Sequence, residues 1–167
     1  MNKKYTKRIA VTASLTAVAL MFAYVEALIP IPIGIPGVKL GIANIAVVCA
    51  MFIMDTRCAA EVNTIRIILS AVLFSSPSVL MYALAGAAAG FIAMTVMKRC
   101  KFDIITVSAV GGVFHNVGQT AVFAVVSKTP SIMYWLIILF AVGLITGIAV
   151  GAVSMVIVKA VNKKFIR

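Results

Sequence analysis

Long apolar runs separated by a few polar residues occupy almost the whole chain. They predict six membrane-crossing helices near residues 9–29, 38–54, 59–74, 79–97, 104–127 and 132–158. The third run is the least uniform, because Glu61, Asn63, Thr64 and Arg66 interrupt its first half. Ile67 to Phe74 alone is too short to cross a hydrocarbon layer of about 30 Å at about 1.5 Å per residue. Without it the chain would have an odd number of spans and its termini would lie on opposite sides. The connections at Ser75–Ser78, Lys98–Asp103 and Lys128–Ser131 are short. Ile29–Gly37 differs, since Pro30, Pro32 and Pro36 forbid a continuous helix there and favour an extended segment. That apolar loop reads either as a lid over a site or as a connection resting among lipid headgroups.

Composition fixes the class that the pattern suggests. The chain is 63% hydrophobic and 11% charged, with a mean hydropathy of +1.17, as expected of an all-α integral membrane protein. A single transmembrane domain over residues 1–167 is expected, with membrane lipid as its surroundings. The net charge of +11 forms no aromatic-interleaved patch, so nucleic acid is not an expected partner. Instead the cations mark topology. In the six-span reading Lys3, Lys4, Lys7, Arg8, Arg57, Lys98, Arg99, Lys101, Lys159, Lys163, Lys164 and Arg167 share one side, against Lys39 and Lys128 on the other. This bias predicts cytoplasmic termini in a multi-pass protein of a prokaryotic cell membrane. The basic start reads like the leader of a signal peptide, but the apolar run after it is long for one and no convincing small-x-small cleavage site precedes Glu26, so the first span is expected to be retained. Cys49, Cys58 and Cys100 lack metal-ligand spacing and are expected to be free thiols.

Small residues recur at helical spacing: Ala13 and Ala17, Gly86 and Gly90, and Gly143, Gly147 and Gly151. Such stripes let helix backbones approach closely in lipid, where no hydrophobic drive brings helices together. Most should pack within the chain. Ala13 and Ala17 are the pair expected to face another subunit, because their helix leads directly from the basic end.

Polar side chains at bilayer depth are costly and mark functional sites. Arg66 lies about 10 Å from either end of its span and should face the protein interior, either paired with Glu61 or a carbonyl or lining a pocket. On the fifth span His115, Asn116 and Gln119 join Gly111, Gly112 and Gly118 at helical spacing, combining hydrogen-bonding groups with bare backbone that something can approach. The competing reading is helix–helix hydrogen bonding. Glu26 and Lys39 flank the proline-rich loop as rim charges or as site residues. A helix beginning in the Pro36–Asn44 segment would point free N–H groups toward the outer half of the bundle, a setting that favours anions. Lys39, Arg66 and His115 would therefore suit a carboxylate, phosphate or enolate-like oxygen, with Glu26, Asn44, Asn116 and Gln119 orienting the rest of the ligand.

The segments Glu26–Pro30, Pro36–Ile45, Arg66–Ser70 and His115–Gln119 resemble those of the heptaprenyl diphosphate synthase component I family, also called the Gx transporter family. The likeness extends over nearly the whole chain. It implies a six-helix fold similar to the substrate-binding S components of energy-coupling factor transporters. In those proteins a small-residue pattern on the first helix docks to a coupling subunit driven by ATPases, and substrate is held toward the outer face under the loop between helices one and two. Ala13–Ala17 and Ile29–Gly37 match those positions.

The enzymatic part of the family name meets a chemical objection. Prenyl transfer uses magnesium held by clustered carboxylates, whereas this chain's acids are Glu26, Asp55, Glu61 and Asp103, none within four residues of another. Neither catalytic residues nor a cofactor is expected, and no phosphate-binding GxxxxGK[ST] loop is present to couple ATP hydrolysis. Two functional readings follow. One is a transporter subunit that binds a small anionic or amphipathic organic molecule and is energised by a separate ATPase module. The other is a non-catalytic membrane component of isoprenoid or quinone biosynthesis. An ion channel is disfavoured because no acidic ring or filter repeat exists. An outward polar cavity would favour the first reading, and a cytoplasmic or lipid-facing groove the second.

Overall fold

A computed structural model describes residues 3–29, 41–74 and 77–165. In chain order it contains α1 (Lys3–Leu28), α2 (Asn44–Ile53), α3 (Thr56–Phe74), α4 (Pro77–Arg99), α5 (Ile104–Val126), a 3-10 turn over Pro130–Trp135, and α6 (Leu136–Phe165). No strand occurs among the described residues. Four helices, α1, α4, α5 and α6, are long and apolar enough to cross a membrane. The other two differ from the expected spans for separate reasons. At 19 residues α3 has the length, but its charges lower its hydropathy. The described part of α2 has only 10 residues, about 15 Å, which is half the hydrocarbon thickness.

The shortness of α2 follows from its two ends. Gly41 adopts φ +75°, a left-handed conformation that cannot be part of a helix. At the other end Met54 leaves helical geometry, and Asp55 starts α3 by accepting a hydrogen bond from the Cys58 N–H at 2.7 Å. Between these stops every residue from Ile45 to Met51 is buried, so α2 is apolar on all sides because it forms the centre of the bundle. Ala19 of α1, Cys58, Ala59 and Val62 of α3, Met94 of α4, Val107 of α5, and Val150 and Val158 of α6 complete this core.

Around α2 the helices divide into two groups. A layer of α4, α5 and α6 is held by backbone contact through small residues. A Cβ at Gly90 would lie 2.7 Å from the Gly111 carbonyl oxygen, and one at Gly143 would lie 2.7 Å from that of Gly112. Gly147 meets Ser108 and Ala109, and Gly151 meets Ile105. The α4 and α6 stripes therefore both pack inside the chain, on opposite sides of α5. By contrast α1 and α3 meet through larger groups, including Thr12 against the Cys58 sulfur at 3.2 Å and Tyr24 against Phe74 with ring centroids 5.2 Å apart.

One rim of the bundle gathers the basic helix ends. Arg8 pairs with Asp55 at 3.2 Å and reaches Glu61 at 3.6 Å, so Glu61 belongs to this rim and is not the partner of Arg66. Lys98 donates to the Met51 carbonyl and lies 5.2 Å from the Phe52 ring centroid. Asp103 caps α5 through the Thr106 N–H and hydroxyl. Asp55 and Asp103 thus serve as helix caps. Beside them α4 ends in a turn closed by Phe102 N–H to the Met97 carbonyl, with Lys101 in the left-handed conformation at φ 64°. Glycine is the residue suited to such a position. Lys101→Gly is expected to stabilise the protein by about 0.5–1 kcal/mol, visible as a small rise in melting temperature in detergent.

Candidate functional site

At the opposite end of the bundle the ends of α1 and α3 meet the starts of α2 and α4, and a polar hollow of about 100 Å³ lies among them. Its walls include Glu26 from α1, Asn44 from α2, Arg66 from α3, and His115, Asn116 and Gln119 from α5. Six of the seven residues singled out for ligand contact therefore line one cavity. The seventh, Lys39, and the Pro30–Gly37 part of the proline-rich loop lie outside the described residues.

Each polar wall has a local cause. Glu26 sits in the last turn of α1 and is buried, with 7% exposure, and its Oε1 accepts the Ile42 N–H at 2.7 Å. The anion expected at the start of α2 is thus supplied by the chain itself, across the α1–α2 connection. Arg66 projects from α3 and donates from Nη2 to Asn63 Oδ1 at 2.8 Å, one turn back on the same helix. Its Nε is buried without a hydrogen-bond partner among the described residues. The Glu26 carboxylate acts on the Arg66 guanidinium through space. Asn116 donates from Nδ2 to the Leu139 carbonyl at 2.7 Å, tying α5 to α6 and turning its oxygen away from that bond. Gln119 is buried against α4, and the His115 ring packs at Gly86, where an added Cβ would lie 3.2 Å from its Cε1.

Two polar lining side chains were missed in the sequence, and both are hydroxyls. Ser70 follows Arg66 by one turn and donates to the Ile67 carbonyl at 3.2 Å; Thr146 of α6 donates to the Val142 carbonyl at 2.8 Å. Ser70 was discoverable from its i+4 spacing to Arg66. Thr146 stands between Gly143 and Gly147, in a stripe that signalled only packing. The bare backbone of α5 also has a different use from the one expected: what approaches it closely is α4 at Gly111 and Gly118, and α6 at Gly112.

Ala13 and Ala17 are remote from this cavity. Both are exposed, and they line a shallow groove of about 560 Å³ between α1 and α3 with Ile9, Thr12, Thr16, Leu20 and Ile65, ending at Arg8 and Glu61 on the basic rim. A third hollow, about 390 Å³ and almost wholly apolar, lies on the outer side of α4 and α5 between Ala89, Ile92, Val96, Val110 and Phe114. All three cysteines are free, Cys49 and Cys58 being buried and Cys100 exposed.

A family model described as heptaprenyl diphosphate synthase component I matches residues 15–157. No curated protein and no solved structure matches the chain.

Proposed function

Since the chain belongs to the heptaprenyl diphosphate synthase component I family, a family of membrane components, we propose that it is the substrate-binding membrane subunit of a transporter, with six spans and cytoplasmic termini. One observation carries this reading: Glu26, Asn44, Arg66, His115, Asn116 and Gln119, drawn from four helices, surround one hollow at the end of the bundle remote from the basic rim. With that rim cytoplasmic, as the charge bias favours, the hollow faces outward. At about 100 Å³ it is smaller than the roughly 300–1,000 Å³ of sites for drug-sized ligands, so it suits a small organic molecule and leaves no room for a long prenyl chain.

Energy would come from a separate coupling subunit and its ATPases. The exposed Ala13–Ala17 groove is the surface we assign to that partner, because it is wide, continuous with the rim ion pairs, and lined by small residues that admit a second helix. Ala17→Leu is expected to leave the melting temperature nearly unchanged, because its side chain would extend into open groove. The same substitution should remove co-purifying ATPase subunits from a gently solubilised membrane extract.

A second reading, a non-catalytic membrane component of isoprenoid synthesis, has its own support in the apolar hollow on α4 and α5, which is lined along α4 from Ala89 to Met97. Native mass spectrometry of protein purified from its own membrane distinguishes the two. A small polar solute favours capture and uptake, and an isoprenoid lipid favours the synthesis role.

A further inference from the structure

The two hydroxyls in the cavity wall can only accept. A hydroxyl has one proton to donate, and both Ser70 and Thr146 commit theirs to carbonyls of their own helices, leaving only lone pairs for a guest. Asn116 commits one amide N–H to Leu139, which leaves its oxygen and a second N–H. Glu26 uses Oε1 on the Ile42 N–H, which leaves Oε2. Ser70, Thr146, Asn116 and Glu26 thus each offer the space an acceptor, the amides of Asn44, Asn116 and Gln119 can also donate, and the Arg66 Nε–H is a buried donor with no partner among the described residues.

Charge has the same two-sidedness. Among the described lining residues Glu26 is the one carboxylate and Arg66 the one guanidinium. A guest with only a negative group would satisfy Arg66 and place its charge beside Glu26. One with only a positive group would do the reverse. In so small a space either mismatch is costly.

We propose that the cavity takes a small zwitterion of amino-acid type, its carboxylate on the Arg66 guanidinium and its ammonium among Glu26, Ser70, Asn116 and Thr146. An ammonium carries three donors and no acceptor, the complement of the acceptors on these four residues. A carboxylate accepts readily from a guanidinium edge, and a charge-assisted bond of this kind is about twice as strong as a neutral one. The inference rests on the capture reading above and narrows it from anions in general to molecules bearing both charges.

The test uses the purified full-length protein and a matched panel of probes: glycine, L-alanine, L-serine and β-alanine as zwitterions, acetate and propionate as acids, and methylamine and ethylamine as amines. Binding is read by titrated thermal shift and by native mass spectrometry. At least one zwitterion should bind roughly tenfold or more tightly than its singly charged counterparts. Glu26→Gln keeps an oxygen for the Ile42 N–H but loses the charge, and should reduce that zwitterion to the level of the matched acid. Thr146→Val removes one acceptor without altering charge, and should weaken the zwitterion several-fold without changing propionate. Equal binding of alanine and propionate by the unaltered protein, or undiminished discrimination in both variants, overturns the zwitterion assignment and leaves solute capture standing. So does failure of every zwitterion to bind while a different small solute is carried. An isoprenoid lipid as the bound species would instead remove the capture reading itself.

Discussion

Arg66→Gln protein is expected to carry at most about a hundredth of the small solute that the unaltered protein carries, while melting at nearly the same temperature. The guanidinium is the one fixed positive charge among the described residues of the cavity wall, and among those residues its Nε–H has no partner to lose. Removing one side of a buried, charge-assisted contact costs about 2–5 kcal/mol in binding, and about 1.4 kcal/mol is a factor of ten. Stability should respond little. Glutamine can still donate to Asn63 Oδ1, and the Glu26 carboxylate left behind keeps its bond from the Ile42 N–H. Native mass spectrometry and a melting curve on the same preparation measure both effects. Unchanged occupancy would assign Arg66 to helix structure alone.

The second large effect concerns the support beneath that wall. Gly143→Leu is expected to prevent α5 and α6 from closing, leaving protein that aggregates on extraction, and Gly143→Ala should lose about 1–3 kcal/mol, or several degrees of melting temperature. A Cβ at Gly143 would stand 2.7 Å from the Gly112 carbonyl oxygen and 2.9 Å from Asn116 Nδ2, so the methyl group displaces both a backbone and the hydrogen bond that fixes Asn116. Ala141→Leu, on an exposed side of the same helix, is the control and should melt normally. Equal behaviour of the two alleles would mean that the helices meet elsewhere.

What could be read in advance follows from which forces act within a segment. Apolar runs are local, so α1, α4, α5 and α6 were visible as hydropathy alone. The true extent of α2 was not, because it depends on the left-handed Gly41 and on burial from every side, neither of which a continuous apolar string records. Six of the cavity residues stood out because polar groups are conspicuous in hydrocarbon, yet the bond from Ile42 to Glu26 joins residues across a loop and follows no sequence spacing. Ser70 and Thr146 escaped notice because a hydroxyl bonded to its own helix weakens the polar signal that would reveal it. Among the small-residue stripes, spacing could not tell the inward-facing glycines of α4 and α6 from the exposed Ala13 and Ala17.

The unequal bonding of the two helix groups has a mechanical outcome. Where α4, α5 and α6 touch backbone to backbone there are no long side chains to change rotamer, so that trio behaves as a stiff plate, whereas α1 and α3 adjoin through side chains that can slide. The polar hollow lies along the seam between plate and movable pair. Under the capture reading proposed above, a guest would come and go by that seam parting, with the plate supplying a fixed anvil and α1 and α3 the stroke.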